Sequence, residues 1–364
     1  MKINELITTL EQMAPTAYAE DFDNVGLLTG NADDEVKGIL VCHDALENVI
    51  DEAIAGNCNV VVCFHPILFS GLKKITGKNY VERAVIKAIK HDIAIYAVHT
   101  ALDNHKHGVN KIFCDALGLA NTKILVPKNG FIRKLVTYTT PENHQQLRNA
   151  LFDAGAGSIG NYENCSFNSE GLGTYQGKAG SNPQIGAPGE FVEAREIKVG
   201  VTFEKHLESK ILKSLFSNHI YEEVAYEIYN LENSHQNIGL GMTGELEAPM
   251  EESTFLEYVK DKMMAGGIRH SAFTGRKVKK IAVLGGSGSF AIKNAIAAGA
   301  DVFLTADLKY HQFYEAEGKI LLADIGHFES ERFTCSYMAE FLSSRVNGIP
   351  VNVSGVDTNP VHYL

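Results

Sequence analysis

Residues 38–63 run Gly38-Ile39-Leu40-Val41-Cys42, then Leu46 to Ala55, then Val60-Val61-Val62-Cys63. The outer segments are short, continuous apolar runs rich in β-branched residues, the pattern of strands buried on both faces. The intervening ten residues have helical character, so the unit reads strand, helix, parallel strand. Further along, Val81 to Lys90 predicts a helix and Ile93 to Val98 a strand. Toward the N-terminus, Ile3, Leu6, Ile7, Leu10 and Met13 recur at i, i+3, i+4 and i+7, predicting an amphipathic helix that stops at Pro15. The same grammar returns near the C-terminus. Lys280 to Leu284, Val302 to Thr305 and Ile320 to Ala323 read as strands; Phe290 to Ala298, Tyr310 to Glu317 and Phe328 to Leu342 read as helices. Two α/β halves, each with a parallel sheet covered on both faces, therefore flank the middle of the chain.

The middle has a different texture. Nine of the 33 glycines fall between Leu151 and Glu190 with Pro183 and Pro188, marking a long turn-rich excursion. Around it the pattern strand (Lys134 to Thr139), helix (Glu142 to Ala154), strand (Glu196 to Thr202), helix (Leu207 to Asn218), strand (Glu223 to Tyr229) predicts a ferredoxin-like βαββαβ insert. Its second strand is expected within the glycine-rich part. The domain boundaries drawn from this pattern are 1–125, 126–245 and 246–364.

The 364 residues are 45% hydrophobic and 21% charged, enough apolar material for cores in each domain without disulfide staples. A net charge of 33 − 44 = −11 argues against nonspecific binding to nucleic-acid phosphates or anionic membranes, both of which need a basic excess. No run approaches the roughly 18 apolar residues of a spanning helix, and the first residues lack a signal-peptide core. The expected location is the cytoplasm. The six cysteines are scattered without a CxxC, which predicts buried thiols rather than a zinc ribbon.

In such sheets, ligands gather beyond the carboxyl ends of the strands. There stand His43-Asp44, Phe64-His65-Pro66, His99-Thr100-Ala101-Leu102-Asp103-Asn104, Ala306-Asp307 and Asp324-Ile325-Gly326-His327 with Glu331 four residues on. A spacing of four puts His327 and Glu331 on one helical face, where imidazole nitrogen and carboxylate oxygen can reach one ion. Each residue also has an ordinary reading. His327 and Glu331 fit a solvated helix face, His65 a hydrogen-bonded histidine at the core's edge, and Asp103 a helix cap or turn residue. His99 is open between ligand, supporting donor and buried side chain. Gly285-Gly286-Ser287-Gly288-Ser289 follows a strand and opens a helix, so it fits either a tight turn or an anion cradle.

Taken together, these segments resemble the Nif-three-like dinuclear metal-centre family, whose members carry the name GTP cyclohydrolase 1 type 2 homologue. The likeness rests on Asp21-Phe22-Asp23-Asn24-Val25-Gly26-Leu27, Phe64-His65-Pro66, His99-Thr100-Ala101-Leu102-Asp103, Val283-Leu284-Gly285-Gly286-Ser287-Gly288 and Asp324 through Glu331. The middle resembles the PII-like/CutA-like insert of longer bacterial members through Gly155 to Tyr162 and Glu222 to Tyr226. The resemblance implies two similar α/β lobes, toroidal hexamers and two divalent ions per subunit, of zinc, iron or manganese. It implies His65, Asp103, His327 and Glu331 as ligands, with Glu331 suited to bridging; His99 and Asp307 are expected behind them. The family usually has two adjacent histidines before the proline. Phe64 in the first place removes a donor, so the second ion is expected to bind more weakly, to recruit another donor such as His99, or to complete its shell with water; a dinuclear site with an extra water is the favoured expectation.

Two functions follow from this resemblance. One is a metal-dependent hydrolase acting on a small-molecule substrate, a nucleotide if the cyclohydrolase name applies. The other is a non-enzymatic metal-binding regulator or scaffold whose insert binds an effector.

Overall fold

A computed structural model describes residues 1–364, which form two compact units: Met1–Val126 with Ile238–Leu364, and Pro127–Asn237. The first unit begins with α1 (Ile3–Met13), whose buried Ile3, Leu6, Leu10 and Met13 are the stripe seen in the sequence. There follow β1 (Gly26–Thr29), β2 (Ile39–Asp44), α2 (Glu47–Ala55), β3 (Val60–His65), α3 (Tyr80–Lys90), β4 (Ala94–Ala97), α4 (His99–Asp103), α5 (Val109–Ala116) and β5 (Ala120–Pro127).

The second unit contains β6 (Ile132–Thr139), α6 (His144–Asp153), β7 (Ser166–Gln176), β8 (Phe191–Glu204), α7 (Glu208–Asn218) and β9 (Tyr226–Asn230). Its antiparallel sheet has the order β7-β8-β6-β9, the ferredoxin-like arrangement, with β7 inside the glycine-rich stretch. One face carries Leu135, Ile197, Val199, Val201 and Phe203 against Leu147 and Leu151 of α6 and Ile211 and Leu215 of α7.

The chain then re-enters the first unit through β10 (Gly239–Met250), α8 (Glu252–Lys262), β11 (Arg269–His270), β12 (Val278–Ser287), α9 (Ile292–Ala297), β13 (Val302–Ala306), β14 (Leu321–Asp324), α10 (His327–Glu331), α11 (Thr334–Ser343) and β15 (Val351–Val353). The unit has two sheets, ordered β1-β4-β3-β2-β15 and β11-β14-β13-β12-β10-β5. Strands β4, β3, β2 and β15 are mutually parallel, as are β12, β13 and β14; antiparallel β1, β11 and β10 flank them. Each sheet buries apolar side chains on both faces.

The lobes exchange elements. β5, from the first third of the chain, edges the second sheet, while β15 edges the first. Met338 and Leu342 of α11 likewise join the core beneath α1. This exchange accounts for one local difference from the sequence reading. The helix expected over Phe328 to Leu342 is two helices, because Glu331 must face inward at one place while Met338 and Leu342 cover the other sheet. The helix expected over Tyr310 to Glu317 is a 3-10 segment, Tyr310–Ala316, ended by left-handed Glu317.

Candidate metal centre

The parallel strands bring the predicted residues to one rim. Asp44 and His65 are paired in register at the carboxyl ends of β2 and β3, so the His65 Nδ1–H donates to Asp44 Oδ1 at 2.9 Å. The second lobe repeats this across β13 and β14. Asp307 follows β13, His327 opens α10 after β14, and His327 Nδ1 donates to Asp307 Oδ2 at 2.7 Å. In each case a carboxylate holds Nδ1 and leaves Nε2 as the nitrogen that can ligate once its proton is released.

Both Nε2 atoms converge on Glu331. His327 Nε2 lies 3.4 Å from Oε1, and His65 Nε2 lies 3.3 Å from Oε2. One ligand atom from each of the three residues fits within 4.8 Å of the others. Glu331 is 4% exposed, against 25% for His65 and 39% for His327, so the group is deep but reachable. Despite its nearness to His65, Glu331 Oε2 has no partner in hydrogen-bonding geometry. Ligand atoms gathered this closely, with a buried carboxylate oxygen left unpaired, are what donors around a cation present.

Charge points the same way. Burial opposes ionisation of all three groups, yet the neighbouring charges outweigh it. Glu331 and Asp44 raise His65 to about 10, while Glu331 and Asp307 raise His327 to about 11. The two imidazoles hold the Glu331 carboxyl well below the usual range. In the metal-free chain, protons supply the positive charge that the glutamate demands.

Asp103 lies outside this triad but close enough to feel it. Burial first, then the Glu331 charge, pushes its carboxyl far above the ordinary range. Its Oδ1 is shielded from solvent and has no partner. A buried unpaired carboxylate oxygen beside another is costly without a cation. The unpartnered Asp103 and Glu331 oxygens, with the two oriented imidazoles, therefore fit a divalent metal.

His99, the first residue of α4, also stands at this rim. Its Nδ1 donates to Asp23 Oδ1 at 2.9 Å, and its ring centroid is 5.4 Å from that of His65. Fully buried Phe64 offers no donor and packs its ring edgewise on His99 at 5.7 Å. His43 is buried with its ring 4.8 Å from Phe328, and burial lowers its pKa.

The glycine-rich turn after β12 serves the centre differently from an anion cradle. The Gly285 amide donates to Asn110 Oδ1 and the Gly286 amide to Ser330 Oγ, so neither is available to a phosphate. Gly286 has φ 68°, and a Cβ there would lie 2.6 Å from Glu331 Oε1 and 3.3 Å from His327 Nε2. The missing side chain keeps the wall of the site open. Sequence reading did not single out Gly286 or Asn110 for this role. It noted Asp23 and Asp44 only as neighbours in motifs, because their contacts reach His99 and His65, 76 and 21 residues away.

A cavity of about 450 Å³ adjoins the centre, lined in part by Asp44, His65, Pro66, Phe69, Tyr80 and His99. No helix is long and apolar enough to cross a membrane.

Similarity to known proteins agrees with this architecture. A Bacillus subtilis (strain 168) protein named GTP cyclohydrolase 1 type 2 homolog is 38% identical over 366 residues, covering 99% of this chain and 98% of that one. The Staphylococcus aureus (strain MSSA476) protein of the same name is 32% identical over 369 residues, covering 100% of each. The solved structure of a Bacillus cereus protein related to NIF3 superposes with a TM-score of 0.85 at 35% identity, covering 100% of this chain and 99% of that one. The sequence profile described as Duf34/NIF3 (NGG1p interacting factor 3) matches residues 1–360. The chain belongs to the Duf34/NIF3 family.

Proposed function

We propose that the centre holds divalent metal and serves hydrolysis of a small-molecule substrate. The observation that carries this reading is the convergence of two carboxylate-anchored Nε2 atoms on one buried glutamate. His65, His327 and Glu331 hold the first ion; Asp103 supplies a carboxylate toward a second, weaker one. An N/O donor set of this kind suits zinc, iron or manganese. Such an ion lowers the pKa of water from 15.7 to about 7 in favourable sites, making a nucleophile available near neutral pH.

The chain's own groups prepare the site for this chemistry. Asp44 and Asp307 hold the imidazoles in the ligating tautomer. Gly286 leaves room beside Glu331. The adjoining cavity, of a size suited to small molecules, offers Phe69 and Tyr80 as apolar walls. The name carried by the relatives makes GTP the first substrate to test, opened at the ring carbon between two nitrogens; phosphate-ester cleavage is the neighbouring chemistry. The cytoplasm and a toroidal hexamer belong to the same reading, the latter testable by light scattering.

A second reading, a metal-binding regulator with an effector-binding insert, is favoured by one observation. The second unit carries an open cavity of about 650 Å³ lined in part by Tyr138, Tyr175, Lys198 and Tyr221. The experiment that separates the readings incubates zinc- or manganese-loaded protein with GTP and with bis(p-nitrophenyl) phosphate. Turnover lost in Glu331→Ala and Asp103→Ala supports the hydrolase. Retained metal with no turnover of either compound supports the regulator.

A further inference from the structure

The sheet of the second unit has one face without helices, and a separate cavity is built on it. Leu135, Ile197 and Val199 point at α6 and α7, so by alternation Tyr138, Glu196 and Lys198 point the other way. Tyr138 and Lys198 are direct cross-strand partners, and Lys198 Nζ stands 5.9 Å from the centre of the Tyr138 ring. The glycine-rich segment after β7 folds over this face and is pinned twice. The Asn182 amide donates to Glu222 Oε1 at 2.7 Å, and the Tyr175 hydroxyl donates to the Ile185 carbonyl at 2.6 Å. The space between segment and sheet is the cavity of about 650 Å³, a size suited to a small molecule.

Its three tyrosines have committed their hydroxyls elsewhere. Tyr138 donates to Glu227 Oε1 at 3.0 Å and Tyr221 to Glu196 Oε1 at 2.8 Å, while Tyr175 holds Ile185. Burial and the bond to Glu196 push the Tyr221 phenol up, so it stays neutral. What these side chains offer a ligand is therefore ring surface, enriched in electron density where the hydroxyl donates to a carboxylate. The charge around the rings is negative: Glu170, Glu196, Glu222 and Glu223 line the cavity against one ammonium, Lys198. Of the four, Glu170 is paired with Arg195. Glu196 and Glu222 each spend one oxygen on the hydrogen bonds given above and keep the other for a ligand. Electron-rich ring faces edged by carboxylates attract cations and repel nucleotides and other anions. Lys198 over Tyr138 is the chain's own example of that contact, and the side chain is exposed enough to swing aside.

We propose that this cavity binds a small organic cation, an ammonium group on an apolar body, with Tyr138 and Tyr221 as ring walls and Glu196 as the counter-charge. The inference rests on the effector-binding reading of the second unit and gives that effector a chemical class.

The test is calorimetric titration of the chelator-treated full chain with choline, with spermidine and, for the opposite charge, with GTP. An amine is expected to bind and GTP to stay out of the cavity. Glu196→Gln keeps an acceptor for Tyr221 and should weaken the amine about tenfold. Tyr138→Leu should weaken it about three- to thirtyfold, and Tyr138→Phe should recover most of that loss by restoring the ring. Lys198→Met removes the competing ammonium and should tighten the amine, whereas an anion site would lose affinity through the same change.

Failure of both amines to bind overturns the inference, as does amine binding that Glu196→Gln and Lys198→Met leave unchanged. GTP bound instead of the amines, and weakened in Lys198→Met, overturns the cationic class and leaves an effector site standing. If none of the three compounds binds, the cavity's support for the effector reading falls with the inference.

Discussion

Asp44 touches no ion in the proposed centre, yet it should control the affinity for one. Its Oδ1 accepts the His65 Nδ1–H at 2.9 Å and its Oδ2 accepts the Thr358 hydroxyl at 2.7 Å. Removing a carboxylate of this kind costs about 10- to 100-fold in metal affinity, which is about 1.4 to 2.7 kcal/mol. Asp44→Asn keeps the shape and an acceptor oxygen for Nδ1, and Thr358 can reorient its hydroxyl toward the new amide. Only the charge is lost, so about tenfold is expected.

Asp44→Ala also frees the ring to rotate and to adopt the other tautomer, so the expected loss approaches about 100-fold. The equivalent change at Asp307 should cost less, because Asp307 is 52% exposed and water can replace it on His327. The assay is chelator-competed zinc binding at constant pH, with melting in excess chelator to verify the fold. A folded Asp44→Ala chain with unchanged affinity would refute the claim that His65 ligates through an Nε2 made available by Asp44.

Gly286→Ala should disrupt the same centre from the opposite wall. The new methyl would meet Glu331 Oε1 at 2.6 Å on a backbone with φ 68°, so metal content should fall sharply while the circular-dichroism signature of the chain is kept. Metal uptake should release protons. His65 and His327, raised to about 10 and about 11, are both protonated at pH 7 without metal, so calorimetry in buffers of different ionisation enthalpy should show about two protons per first ion. Affinity should therefore climb with pH, and a titration without proton release would contradict the ligand assignment. The sign for stability is opposite. Histidines raised above 6.5 stabilise the metal-free fold below that value, and the contribution is lost as pH rises toward 10 and 11, so chelator-treated protein should melt earlier at pH 9 than at pH 6.5.

Much of the architecture is written in local patterns. The i, i+3, i+4, i+7 stripe of α1 and the unbroken apolar runs of β2 and β3 describe which faces must leave water, and a face is a property of neighbouring residues. The His327–Glu331 spacing is equally local, one turn of one helix. Strand exchange was hidden because nothing near Val351–Val353 specifies pairing with Ile39, more than 300 residues away. The break between α10 and α11 was hidden for the same reason: it serves two cores at once.

Sequence alone thus determined the alternation of strands and helices, the ferredoxin-like middle, and which imidazoles and carboxylates end at strand tips. Only the tertiary structure decided that Asp44, Asp307 and Asp23 each take one histidine by its Nδ1, and that Gly286 must stay bare beside Glu331. Periodicity encodes burial over a few residues. The direction of a lone pair depends on partners supplied by other strands, and those meet only when whole sheets pack.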